Sequence, residues 1–301
     1  MRLCTFKLAS ESVEKRRMGI VRDNRVFEPA SGGQVSSALG QSEPKAEGVG
    51  DGYPIDRVVF SAPLPRPGKI IATIVNTQGM LGGTDVGLER PRLDMKAPST
   101  VIGPSEKIMA PASGVRPEVE LAAVIGKKIS MATEAEADRA LFGYTVLNDV
   151  TAPADSREDA YEAYRRDRAT GTIRKAVMRG PLFRSKNHDT FCPMGPWLVT
   201  SDELPNLSNL KMTTKFEGSL VQEGTTAEYL FRPAAITAYV SRFLTLEPGD
   251  VVSCGSVGWT REALGSLDPT EYLLPHRAGT LELEIEGIGK LINPVDYRSE
   301  R

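Results

Sequence analysis

The sequence is short of histidine, cysteine and long apolar runs, and each shortage removes a class of chemistry. Only His188 and His276 are present. Cys4, Cys192 and Cys254 are scattered, odd in number and form no C-x-x-C pair. This excludes a disulfide framework and a zinc site, and it reads as reduced thiols in a cytoplasmic protein. No stretch approaches the ~20 apolar residues of a membrane helix. "MRLCTFKLAS" lacks the apolar core of a secretory signal. Net charge is −2, so no basic excess attracts nucleic acid or a membrane surface. There is no G-x-G-x-x-G and no G-x-x-x-x-G-K-[ST], which argues against a Rossmann or P-loop nucleotide site. A metal site, if built here, must be made of oxygens, which selects Mg²⁺, Mn²⁺ or Ca²⁺.

What is present is mostly β-patterned. "RRMGIVRDNRVFEPA" predicts a hairpin around Asp23-Asn24. Residues 31–52 are rich in Gly and Ser and read as a linker or loop, with a short helix as the alternative. "RVVFSAPLPRPGKIIATIV" gives a strand, a proline-rich turn and a buried strand ending at Val75. Residues 76–94, with four glycines, read as a mobile loop able to cover a site. "GYTVLNDVTAP" is a buried strand ending at Asp149, and "ADSREDAYEAYRRDRAT" reads as a charged surface helix. "LKMTTKFEGSLVQEGTT" predicts a hairpin with Glu217-Gly218 at its tip. Ile236, Val240, Phe243 and Leu244 have the spacing of one buried helix face. "GTLELEIEGIGKLINPV" alternates as a closing hairpin.

One stretch asks for an explanation. In "PEVELAAVIGKK", Glu118 and Glu120 stand one residue apart where a strand enters a core. On a strand they share a face, opposite Val119 and Leu121. Close carboxylates repel and need solvent, a basic partner or a cation. A bare E-x-E is more simply a solvated edge. A third oxygen ligand changes that, and Asp149 at the end of an apolar strand supplies it, since a lone buried carboxylate is costly. Three carboxylates favour a hard divalent cation with positions left for substrate oxygens.

At these residues the sequence resembles the fumarylacetoacetate hydrolase superfamily. "PEVELAAVIGKK" resembles its E-x-E metal motif, and "GYTVLNDVTA" the segment that carries the third ligand. "RSKNHDTFCPMGPWLVTSDEL" resembles its K-x-x-D-T-x-x-P-x-G-P segment, "FLTLEPGDVVSCGS" its L-T-L-x-P-G-D segment, and "LELEIEGIGKLINPV" its last hairpin. The matches keep the family's order and span residues 66–296. The resemblance implies a mainly β (α+β) chain. A mixed β-sandwich roll is expected over residues 66–301, with a small N-terminal β region over 1–65. It implies Mg²⁺ or Mn²⁺ on Glu118, Glu120 and Asp149, a homodimer, and a small 2-oxo acid or 1,3-dicarbonyl acid as substrate. Lys186 matches the family's active-site lysine. Ser256 stands where the family has a hydroxyl near the substrate carboxylate, and Asn76 and Thr190 fall at matching substrate-side positions.

The sequence also departs from the family. The family's hydrolases carry N-Y-x-x-H-x-x-E, whose His–Glu pair activates water. Here "NTQGMLGG" keeps Asn76 but puts Met80 at the His position and Gly83 at the Glu position. Pro153 and Ala154 stand where the family often has Ala-Arg, and the segment between Asp149 and Lys186 is longer than usual. Hydrolysis needs a base for water. Decarboxylation, tautomerisation and dehydration need mainly an electron sink, so lyase or isomerase chemistry is expected. His188, two residues after Lys186 and on the same face if both are on a strand, is a replacement base, a packing residue or a substrate contact. His276 reads as structural or at the surface. The competing readings are a C–C hydrolase whose base is His188, Asp85 or Glu89, and a binding homologue without catalysis.

Overall fold

The computed structural model describes residues 1–30, 32–39, 48–82 and 86–298. Among them, a twelve-stranded mixed sheet faces a five-stranded one, with a separate two-stranded hairpin. No helix among the described residues is long and apolar enough to cross a membrane.

The strand Val119–Ile125 lies inside the large sheet, antiparallel to Leu141–Asn148 on one side and to Val251–Ser256 on the other. Every residue of Val119–Ile125 is buried. Its two faces enter different cores. Val119, Leu121, Ala123 and Ile125 pack with Met212, Leu283 and Ile285 of the small sheet. Ala122 and Val124 pack with Leu3, Leu147 and Leu198 on the opposite side. Fully burying a side chain such as Leu121 contributes about 1.5–3 kcal/mol, and a one-residue slip would exchange the two faces. This register fixes Glu118 and Glu120 on the side away from the sandwich core.

The N-terminal strands extend the same sheet, because Arg2–Leu8 pairs with Cys192–Thr200. The expected boundary at residue 65 falls between the strands Val58–Ser61 and Ile70–Thr73. Asp23 and Asn24 form the expected hairpin turn, both with positive φ. The hairpins 211–225 and 279–297 are also as expected.

Residues 31–52 hold the alternative short helical turn, at Val35–Ala38; residues 31 and 40–47 lie outside the described set. Several expectations are corrected. The strand Gly48–Pro54 begins inside that stretch, where a linker or loop is expected. Residues 76–94 contain a helical turn at Gln78–Leu81, with Gly82 at φ 78° closing it, and the start of the strand Leu93–Lys96. The charged stretch after Asp149 is not one helix. Pro153 opens a short helix, Pro153–Glu158, and the chain then forms a hairpin of Tyr161–Arg166 with Ile173–Met178. Backbone pairing holds it, with a diagonal ion pair between the strands, Lys175 Nζ to Glu162 at 2.6 Å. Its turn is set by Asp167, whose carboxylate accepts from the amides of Ala169 and Thr170, and by Gly171 at φ 72°. The helix Pro233–Ser241 buries Ile236 and Val240, but Phe243 lies beyond its end and is exposed.

Candidate active site

Glu118, Glu120 and Asp149 converge where the first strand's entry meets the end of the neighbouring strand. The link is backbone: the Asp149 amide donates to the Glu118 carbonyl at 2.9 Å. The Glu118 amide donates to Asn148 Oδ1 at 3.0 Å. One carboxylate oxygen from each acid lies within 4.8 Å of the others, and all three residues are buried.

Cations surround the acids. Arg116 Nε and Nη2 each lie 2.8 Å from Glu118 Oε1. Lys186 Nζ donates to Glu118 Oε2 at 3.0 Å, Asp149 Oδ2 at 2.5 Å and Thr151 Oγ1 at 3.0 Å. Lys96 Nζ approaches Asp149 Oδ1 to 2.7 Å as an ion pair. Lys96 also donates to the carbonyls of Lys186 at 2.6 Å and Val150 at 3.3 Å. Glu120 has no such cation beside it. It accepts from the Gly255 amide at 3.0 Å and from the Ser253 hydroxyl. Gly255 is at φ 91°, and a Cβ there would meet Asn76 Cβ at 2.6 Å, so this amide reaches Glu120 only from a glycine.

The two environments drive the acids apart. Burial pushes Glu120 up, and the charges of Asp149 and Glu118 push it further, to about 8. Burial would also raise Asp149, but Lys186 and Lys96 override it and hold Asp149 at about 2. Burial works against the Lys186 ammonium, yet Asp149, Glu118 and Glu120 hold it well above the usual lysine range. The all-oxygen donor set and the uncompensated Glu120 fit a hard divalent cation. Glu118, Glu120 and Asp149 are the residues that would hold it.

A cavity of about 340 Å³ opens on this cluster. Glu118, Thr151 and Lys186 form its polar end, and Ile74, Val75 and Leu182 give it apolar walls. Met80, at the position expected for histidine in a hydrolase, lines it as well.

Other expected residues lie elsewhere. Asn76 is buried and its amide is used by the Phe231 and Cys254 backbones. Thr190, at φ 74°, accepts from the Met109 amide at 2.9 Å. The Ser256 hydroxyl accepts from Gln222 Nε2 at 3.0 Å. None of the three lines the cavity. Lys186 and His188 do not share a strand face, because Lys186 ends the helical turn Phe183–Lys186. His188 points instead to Asp155, Nε2 to Oδ2 2.5 Å, and its ring lies against Phe191. His276 is exposed, its ring near Tyr297. Glu89 is exposed away from the cavity, and Gly83 and Asp85 lie outside the described residues. Lys96 and Arg116 were missed from sequence. Each looks like an ordinary surface cation in its own segment, and only the fold brings it to the acids.

Residues 70–296 match the family model described as "Fumarylacetoacetate (FAA) hydrolase C-terminal". The chain belongs to the fumarylacetoacetate hydrolase family. It is similar to the human protein "Oxaloacetate tautomerase FAHD2A, mitochondrial", 33% identical over 248 residues, covering 80% of this chain and 71% of that one. It is 30% identical over 234 residues to 2,4-didehydro-3-deoxy-L-rhamnonate hydrolase of a Sphingomonas strain, covering 76% and 74%. Among solved structures it resembles 5-carboxymethyl-2-hydroxymuconate delta-isomerase from Mycobacterium smegmatis, with a TM-score of 0.74, 27% identity and full coverage of both chains. Tautomerase, hydrolase and isomerase thus stand side by side among its relatives, and the chain is an enzyme of the fumarylacetoacetate hydrolase superfamily.

Proposed function

We propose that this enzyme uses a divalent cation, Mg²⁺ or Mn²⁺, to convert a small 2-oxo acid or 1,3-dicarbonyl acid through an enolate. The favoured chemistry is tautomerisation, decarboxylation or dehydration. One observation carries this: Glu118, one member of the acid triad, and Lys186, which touches both Glu118 and Asp149, line a cavity with Met80, while neither histidine lines it. When bound, a divalent cation supplies Lewis acidity toward adjacent carboxylate and keto oxygens.

The side chains do the rest. Lys186, held protonated by three carboxyls, is a donor and not a base. Its ammonium can donate to an oxygen on which enolate charge develops, and fixed donors of this kind stabilise a transition state without reorganising. Arg116 orients Glu118, and Lys96 orients both Asp149 and the Lys186 backbone. The apolar walls limit water around the reacting atoms. The likeness to the family extends the proposal to a cytoplasmic homodimer.

Hydrolysis is the second reading. Glu271, a carboxylate at the cavity lining outside the triad, is the observation in its favour. The test is to follow enol-to-keto conversion of oxaloacetate, the substrate named for the human relative, with and without EDTA. A 2-oxo acid screen in isotopically labelled water runs beside it. Metal-dependent conversion without label entering a new carboxylate supports the proposal. Label in a new carboxylate assigns hydrolysis instead.

A further inference from the structure

The cavity continues past the acids to Arg157 and Arg179, which both line it. Arg157 belongs to the short helix Pro153–Glu158, and Arg179 follows the strand Ile173–Met178. Both stand in the segment between Asp149 and Lys186. Neither side chain has an ion-pair or hydrogen-bond partner among the described residues. Nearby arginines are differently placed: Arg116 is committed to Glu118, and Arg184 to Asp155, Glu158 and Asp159. The cations at the polar end are likewise taken, Lys186 by Glu118 and Asp149. Glu271 also lines the cavity, but it lies within 4 Å of neither arginine's nitrogens, and it leaves one positive charge in excess. Both arginines are exposed, and an unpaired guanidinium lining a cavity is suited to carboxylate or phosphate oxygens. The cavity's 340 Å³ is within the range of small-molecule sites, about 300–1,000 Å³, and exceeds what a chelated three-carbon acid needs.

We propose that Arg157 and Arg179 form a second anion subsite, so that the substrate is a 2-oxo acid with a carboxylate or phosphate at its far end. This rests on the reading of the polar end as a metal-assisted keto-acid site.

The test is binding, measured by calorimetry with Mn²⁺ present. Four ligands are compared: oxalate, 2-oxohexanoate, 2-oxoadipate and 2-oxo-5-phosphonopentanoate. The last three share a chain length and differ only in the terminal group, which is a methyl, a carboxylate or a phosphonate. A charge-assisted contact at a partly open site predicts roughly ten-fold tighter binding of at least one anionic tail over the methyl. The better of the two tails tells carboxylate from phosphate. The double substitution Arg157→Gln with Arg179→Gln should bring the three acids together, with oxalate checking that the polar end is intact. Equal binding of the three acids to the native enzyme, exclusion of all three while oxalate binds, or an undiminished preference in the variant would each overturn the subsite and leave the keto-acid reading standing. Failure of every ligand, oxalate included, would overturn both.

Discussion

Replacing Asp149 with asparagine should be among the most damaging single changes in the metal-stripped protein. Asp149 and Lys96 have side chains 0% exposed, and Lys186 is 3% exposed. Removing one partner of a buried pair leaves an uncompensated charge, at about 3–5 kcal/mol. One effect opposes this, since a neutral amide in place of the carboxylate would relieve repulsion on Glu120. Attraction wins, because two ammoniums hold Asp149 at about 2 against its ordinary 3.8 despite full burial. That difference alone corresponds to about 2 kcal/mol. A depressed carboxyl contributes its stability above the ordinary value and loses it as pH falls through about 2, so the penalty is fully present at neutral pH. An unfolding entropy of about 2.1 cal/mol/K per residue over 301 residues makes 3–5 kcal/mol a fall in Tm of roughly 5–8 °C. The assay is urea unfolding and thermal melting in EDTA. Adding Lys96→Met to Asp149→Asn removes an orphaned cation and should restore stability, with a coupling of about 1–3 kcal/mol. A cost below about 1 kcal/mol for Asp149→Asn, or a double variant worse than the single by the full cost of Lys96→Met, would refute the reasoning.

The same chemistry predicts the opposite sign at Glu120. Glu120→Gln removes a carboxyl that burial and two neighbouring acids disfavour, so the metal-free protein should melt higher, by a few degrees, while Mn²⁺ no longer shifts the melt. Lys186→Met should lower turnover by about 10²–10³-fold, the cost of losing one fixed donor to a developing oxyanion, while calorimetry still detects Mn²⁺ binding. Gly255→Ala forces a side chain into a left-handed backbone against Asn76 and should cost about 1–3 kcal/mol in urea unfolding, with weaker Mn²⁺ binding because Glu120 loses its amide. His188→Ala should leave kcat within about two-fold, because His188 faces Asp155 and not the cavity; a hundred-fold loss would assign it to catalysis.

The acids were legible because their pattern conflicts with its setting. Two glutamates entering an apolar strand and an aspartate leaving one have no bland explanation once they are taken together, and the parity of the strand fixes their common face. The hairpins were legible from turn chemistry, as at Asp23-Asn24. The failures share a cause: a local pattern with two solutions. The charged stretch 154–170 has no apolar periodicity, and its strand pairing depends on residues 173–178, outside the stretch. His188 looked close to Lys186 in sequence, but a helical turn ending at Lys186 rotates the two apart. Lys96 is the instructive omission. A lysine in "LDMKAP" carries no sign that it will be fully buried, since burial comes from Asp149, 53 residues later, and from the Lys186 carbonyl.

The central claim is that Glu118, Glu120 and Asp149 hold a divalent cation that receives a keto acid. The most direct measurement is a thermal melt of EDTA-stripped protein, then with Mn²⁺, then with Mn²⁺ and oxalate, and with oxalate alone. A ligand that binds only the folded state raises the melt by mass action, about 2.7 kcal/mol at a hundred times its Kd. The account predicts that Mn²⁺ raises the melting temperature, that oxalate raises it further with Mn²⁺ present, and that oxalate alone does nothing. No shift with Mn²⁺, or an oxalate shift of equal size without it, would contradict the account.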